Sequence, residues 1–306
     1  MARRSVSPPV RRDVPFDLAG TLFVLGKGGV GKSVISEGLA ALAAEAGHST
    51  LLIRIGESAH ESPEGLPPRS AHGFDVVDLD ARVAMDDFVR HVVRLRPLAE
   101  RIIRSEVYAK FFAAAPGLRE LVLLGRIREF SQEGGLAGPK WRSLVVDCPS
   151  SGHGLLMLET PFAAHRAVPV GPFARLAERI MSWLRTGTRI ALVAVPEEMA
   201  VVEAVEFATD LRERTGLTPS LAFLNRMRQE TLSAAARRAL TETRTEKGSR
   251  DRVLLECAAR GQRRTRLEAF HQRRLALGLG LKPFIVREVS DCGPAAMSRA
   301  LVGAAA

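Results

Sequence analysis

The octapeptide Gly26-Lys27-Gly28-Gly29-Val30-Gly31-Lys32-Ser33 matches the phosphate-binding template G-x-x-x-x-G-K-[ST] at every position. It follows the apolar run Thr21-Leu22-Phe23-Val24-Leu25 and precedes a helix-like stretch, the context such a loop requires. Glycines let successive backbone N–H groups turn inward around a triphosphate, and the positive end of the next helix reinforces the anion site. Lys32 is placed to reach the β- and γ-phosphates, and the Ser33 hydroxyl to ligate Mg²⁺. Gly26, Gly28 and Gly31 also spell the dinucleotide pattern G-x-G-x-x-G, but the appended Lys32-Ser33 serves a nucleoside triphosphate. Lys27, a second lysine directly after the first glycine, is the unusual member of the loop.

A strand–loop–helix start is repeated along the chain. Strands are expected at Leu22–Leu25, Thr50–Ile55, Phe74–Asp78, Ser143–Asp147, Arg189–Val195, Ser220–Asn225 and Lys282–Arg287. Several are near-continuous apolar runs, as strands covered on both faces require. Helices are expected at Ser33–Ala46, Met199–Thr215 and Pro294–Val302. This alternation predicts a doubly wound, mostly parallel α/β sheet with ligand at the strands' carboxyl ends. Between Asp80 and Glu133 the strand signal stops. Apolar residues recur at helical spacing (Phe88, Val92, Leu95; Val107, Phe111, Phe112; Leu118, Leu121, Leu124, Ile127), and Pro97 and Pro116-Gly117 divide them into three or four helices. An arginine-dense helical block follows from Gln229 to Leu277, with a turn expected at Lys247-Gly248-Ser249.

The chain of 306 residues carries 44 Lys+Arg against 34 Asp+Glu, a net charge of +10, and most of the cations are arginine. They are spread over helices without a basic, aromatic-interleaved stripe, so the reading is a solvated surface rather than a nucleic-acid face. No run approaches the ~20 apolar residues of a membrane span, and the N-terminus lacks an apolar signal core, so a cytoplasmic protein is expected. Cys148, Cys257 and Cys292 are far apart, which supports neither a disulfide framework nor a zinc clamp.

Leu144-Val145-Val146-Asp147 is an apolar strand ending in an acid that can hold a Mg²⁺-bound water. It runs on as Cys148-Pro149-Ser150-Ser151-Gly152-His153-Gly154, a small-residue loop able to rearrange with the γ-phosphate. Pro196-Glu197-Glu198 follows one strand. Asn225 ends another, where it either reads an adenine edge or forms a turn.

Together these residues resemble the deviant Walker A ATPases, whose early second lysine corresponds to Lys27. Within that class, Asp147…Gly152-His153, Pro196-Glu197-Glu198, Asn225 and the segment Arg104–Arg126 resemble the branch of arsenical-pump and tail-anchored-protein targeting ATPases. The resemblance spans roughly residues 20–305. It implies a P-loop NTPase fold with a helical insertion at about 80–135, within an ATPase domain over 18–306 preceded by a flexible arm over 1–17. It also implies an ATP- and Mg²⁺-dependent dimer in which Lys27 crosses to the partner's phosphates. Carried over by position, Gly26, Lys27, Gly28, Gly29, Val30, Gly31, Lys32 and Ser33 bind the nucleotide with Pro196 and Asn225, and Ser33 and Asp147 serve the metal. Lys27, Glu57 and Asp147 are the expected catalytic residues.

The chain departs from that pattern in its first switch. The family's water-orienting Asp after the second strand is replaced by Gly56 or Glu57, depending on register. Glu57 is one methylene longer, and a ~1 Å misplacement can cost ~100-fold in rate. Clustered thiols for arsenite are missing, as is the CxxC of zinc-bridged relatives. His153 is expected to act in conformational change or hydrogen bonding rather than as a general base. Three functional classes follow. One is a switch ATPase acting as a homodimer, or as a heterodimer with a paralogous ATPase, on a client helix or partner. The second is a catalytically weak regulatory subunit paired with an active paralogue. The third is a positioning ATPase on DNA or membrane, which the helical insertion and Gly152-His153 disfavour. An electron-transfer role is disfavoured by the cysteine placement.

Overall fold

The computed structural model describes residues 17–56, 73–115, 117–132, 140–168, 170–228, 238, 250–289 and 292–304. Seven parallel strands form one sheet in the order β3-β2-β4-β1-β5-β6-β7. They are β1 (Gly20–Gly26), β2 (Thr50–Ile55), β3 (Asp75–Leu79), β4 (Ser143–Asp147), β5 (Thr188–Ala194), β6 (Leu221–Met227) and β7 (Phe284–Arg287). Each of the seven expected strands is present; β2 and β4 have the expected bounds, and the other ends shift by at most two residues. The first strand is central, flanked by β4 and β5, so the chain's direction of winding reverses around it. That reversal opens a crevice at the carboxyl ends of the strands, where ligands of doubly wound sheets bind.

Alternate residues of the central strands enter two different cores. Leu22, Val24, Leu52 and Val145 join α1 (Lys32–Glu45) and α10 (Pro294–Gly303) on one face. Phe23, Leu25, Leu51, Ile53, Leu144 and Val146 join the helices of the other face. Both sets are almost fully buried, which explains why these strands read as unbroken apolar runs rather than as alternation. On the first face α1 lies close to α10: a Cβ on Gly38 would fall 2.4 Å from Met297 Cγ.

The described residues between β3 and β4 fold as four helices: α2 (Ala81–Val92), α3 (Arg96–Ile103), α4 (Glu106–Ala114) and α5 (Leu118–Gln132). Asp80 caps α2 through the amides of Arg82 and Val83, and Ser105 caps α4 through that of Tyr108. Such caps each stabilise a helix by ~1 kcal/mol. Pro97 sits in the first turn of α3, where a missing N–H costs nothing. The core of these helices is continuous with the sheet's, through Leu124 and Ile127 of α5. The expected apolar stripe divides in two. Phe112, Leu121, Leu124 and Ile127 are buried, whereas Val92, Leu95, Val107 and Phe111 face outward.

Two helices on the second face escape the sequence reading: α6 (Ser151–Ala167) and α7 (Pro172–Thr186). The small-residue loop expected over Cys148–Gly154 is therefore corrected, since only Cys148 to Ser150 is irregular and Ser151 already opens α6. Gly154 belongs to packing, because a Cβ there would meet Leu25 Cδ2 at 2.4 Å. Behind it, α8 (Glu198–Thr215) covers β5 and β6, and a single long helix, α9 (Arg250–Leu279), packs on α8. The expected turn at Lys247-Gly248-Ser249 lies outside the described residues, as does the expected arm over 1–17 apart from its last residue, Asp17. Asp17 and Ala19 are held to β5 by the Arg189 guanidinium through their backbone carbonyls.

Candidate nucleotide site

The loop Gly26–Gly31 joins the end of β1 to α1 at the centre of the carboxyl edge. Its conformation favours glycine at Gly26, at Gly29 (φ 82°) and at Gly31, and at the first and last a neighbour also leaves no room for a side chain. Gly26 has φ 153° and lies so near β5 that a Cβ would sit 2.3 Å from the Val193 carbonyl oxygen. Gly31 has φ 90°, and its Cβ would sit 2.5 Å from Asn225 Nδ2. Gly31 also serves as the N-cap of α1 and offers no side chain to the helix's first amides, and no acid occupies the first turn. The positive helix end and its N–H groups are thus left for an anion.

The two lysines of the loop point in different directions. Lys32 Nζ donates to the Lys27 carbonyl oxygen at 3.1 Å, folding across the loop. The Lys27 ammonium leaves the loop and pairs with Glu203 Oε1 of α8 at 2.6 Å. Glu203 carried no signal in the sequence, since it lies 176 residues away in an ordinary amphipathic helix.

Asp147 ends β4 beside Val24 of β1 and Arg54 of β2. Its carboxylate accepts from Ser36 Oγ at 3.4 Å, and Ser33 also hydrogen-bonds to it. Burial raises the carboxyl above the ordinary Asp value, although Ser33, Lys32, Ser36 and Arg54 pull the other way. Burial likewise lowers the Lys32 ammonium, against the attraction of Asp147 and Cys148. A lysine, a carboxylate and two hydroxyls converge below the loop. Hard oxygen donors of this kind suit Mg²⁺ shared with a phosphate, so the residues present fit both expected groups.

The remaining expected residues are placed as follows. Asn225 is buried beneath the loop, where Nδ2 donates to the Val30 carbonyl at 2.9 Å and Oδ1 accepts from the Arg226 amide at 2.9 Å. Its amide group therefore braces the loop, a role that sequence reasoning did not assign. Pro196 borders a 460 Å³ groove between the start of α8 and the arginines of α9. Gly56 is exposed at the end of β2, and Glu57 lies outside the described residues. His153 is exposed on the first turn of α6. Cys148 is buried, and burial pushes its thiol well up. Among the described residues no group of three His, Cys, Asp or Glu side chains could hold a metal alone, and no helix is long and apolar enough to cross a membrane.

A parallel sheet with this loop on its central strand and Asp147 on the neighbouring one defines a P-loop nucleoside-triphosphatase fold. Within that class the chain belongs to the ArsA-type ATPase family, whose model, described as anion-transporting ATPase, matches residues 20–206. It is similar to the putative arsenical pump-driving ATPase of Halobacterium salinarum, at 26% identity over 69% of this chain and 36% of that protein. Protein Rv2184c of Mycobacterium tuberculosis is 29% identical over 60% of this chain and 53% of its own. An arsenical pump-driving ATPase of Escherichia coli is 25% identical over 68% and 34%. The chain thus matches 34% to 53% of the length of these relatives.

Proposed function

We propose that this chain binds and hydrolyses ATP with Mg²⁺ and works as a dimeric switch whose nucleotide state governs binding of a client helix or partner protein. The observation that carries the reading is the convergence of Lys32, Ser33 and Asp147 under a glycine loop at a helix start that carries no side-chain cap. Loop amides and Lys32 would hold the β- and γ-phosphates, and Ser33 with Asp147 would hold the metal and its water. Mg²⁺, when bound, screens phosphate charge and aligns the γ-phosphate for attack. Glu57 would orient the attacking water, and Lys27 would reach the partner's nucleotide.

Support for a client comes from the helical insertion. Leu95 is 68% exposed, Val107 77% and Phe111 49%, on elements whose other side is packed into the core. Exposed apolar side chains mark an interaction surface where they are contiguous, and Val107 and Phe111 lie one turn apart on the same side of α4.

The test is ATP turnover of the purified chain with Mg²⁺, beside Lys27→Ala and Glu57→Gln, with molecular mass measured in ATP and ADP. We expect turnover to fall in both variants and mass to double in ATP. A chain that neither binds ATP nor changes mass would overturn the reading. Tight ATP binding without turnover would favour a regulatory subunit that needs an active paralogue, a reading motivated by the missing switch Asp at Gly56-Glu57.

A further inference from the structure

We infer that Glu203 is a positioning residue that holds the Lys27 ammonium within its own subunit and so sets how readily nucleotide drives self-association. The inference rests on the dimeric-switch reading and concerns the residue that Lys27 must leave.

The pair has one fixed and one movable partner. Glu203 stands on α8 between Val201 and Ala204, which are buried against β5 and β6. The helix is clamped from behind, because α9 approaches so closely at Gly278 that a Cβ would meet Val205 Cγ2 at 2.4 Å. A further tie runs from Arg274 Nη1 to Glu198 Oε1 at 3.5 Å. The carboxylate therefore cannot follow its partner far. Lys27 sits instead in a glycine-flanked loop on a flexible side chain, and it carries the motion.

At 2.6 Å the Lys27 ammonium is held at Glu203, while its backbone carbonyl is held by Lys32. A nucleotide that draws Lys32 onto its phosphates removes that second tie at the same residue. The Lys27 side chain can then exchange one anion, Glu203, for another, a phosphate. Lys32 thus answers to the subunit's own nucleotide and Lys27 to the partner's, and Glu203 is the anion that Lys27 gives up. The acid keeps Lys27 from engaging until phosphate charge competes with it.

Because both side chains are partly solvated, the pair is of the modest kind, and releasing it should change an equilibrium by roughly two- to fivefold. A symmetric dimer opens two such pairs, so its association constant should change by about four- to twenty-fivefold.

The experiment measures self-association by sedimentation in Mg²⁺ with ATP or a non-hydrolysable ATP analogue, for wild type, Glu203→Gln, Glu203→Asp, Lys27→Ala and the Lys27→Ala/Glu203→Gln double variant. We expect Glu203→Gln to associate about four- to twenty-fivefold more tightly, with turnover saturating at lower protein concentration and the nucleotide-free melting temperature lowered by no more than about 4 °C. Glu203→Asp should return toward wild type, and the double variant should match Lys27→Ala. If Glu203→Gln associates no more tightly than wild type while Lys27→Ala loses association, the positioning role is overturned and the switch reading stands. If Glu203→Gln is no tighter and melts lower by more than about 4 °C, the residue is structural and the inference also fails. If Lys27→Ala associates and turns over as wild type does, the switch reading itself fails, and the inference with it.

Discussion

The phosphate loop and the helical insertion use similar raw material to opposite ends. Both set small residues beside apolar ones, yet the loop is braced from behind at Gly26 and Gly31 and exposes Gly28, Gly29 and Ser33, while the insertion leaves large apolar side chains uncovered. Val193 and Asn225 crowd the loop so tightly that Cβ atoms at Gly26 and Gly31 would collide with them. In the insertion, Leu124 is fully buried while Phe111, thirteen positions earlier, is half exposed. The difference teaches where specificity resides: the loop can take one ligand chemistry, whereas an uncovered apolar face accepts shape and hydrophobicity broadly.

The comparison is most severely tested at Lys32. On the proposed reading Lys32→Ala would remove charge-assisted bonds to two phosphates, each contributing ~1.5–3 kcal/mol, so ATP affinity should fall by about 10²–10⁴-fold. Titration with a fluorescent nucleotide would report it, and circular dichroism should show an unchanged fold. Retained affinity would mean that the loop does not hold phosphate.

The insertion yields a paired prediction. Leu124→Ala should destabilise by ~2–5 kcal/mol, because its side chain is fully enclosed among α5 and its neighbours. Phe111→Ser should change stability by no more than ~0.5 kcal/mol yet weaken capture of an apolar helical peptide in ATP. Equal destabilisation by both would show that Phe111 is a core residue and remove the case for a client surface. Denaturant melts of the two variants settle that point.

Asn225→Ala should act at intermediate strength. It strips the Val30 carbonyl of its buried donor, which costs ~1–3 kcal/mol, and much of that should appear as weaker ATP binding by a misaligned loop. A variant that lost only discrimination between ATP and other triphosphates would point to base reading instead.

These contrasts also show what was legible beforehand. All seven strands could be read: the inner five, largely buried on both faces, announce themselves as apolar runs bounded by turn residues, and the half-buried edge strands β3 and β7 by their β-branched content. The spacing gave three or four helices for the insertion, and the described residues hold four. The division of their apolar residues into buried and exposed could not be read, since periodicity records which residues share a face and not whether anything covers it. Helices α6 and α7 were missed because a glycine-rich start, Pro161 inside α6 and Gly171 before α7 imitate loop sequence. Within the site, Lys32, Ser33 and Asp147 follow from local motifs. Glu203, Ser36 and the bracing role of Asn225 are long-range partnerships that no local pattern encodes.

The smallest effect separates the site's chemistry from its stability. The Asp147 carboxyl is raised above its ordinary value chiefly by burial, so holding it ionised costs the folded state more than the unfolded one. That cost is fully present at neutral pH, above the raised folded value. It disappears as pH falls through that value toward the unfolded one, because the folded form then takes up the proton first. Asp147→Asn should therefore melt somewhat above wild type at neutral pH while losing turnover, and the two melting curves should converge in acid. Thermal scans across that range, in the absence of nucleotide and Mg²⁺, would decide the matter. A variant that melts lower at neutral pH would show that the bonds from Ser33 and Ser36 and the charges of Lys32 and Arg54 outweigh burial. Asp147 would then hold the loop together as well as serve the metal, and the enclosed site would lose its character as a strained one kept for function.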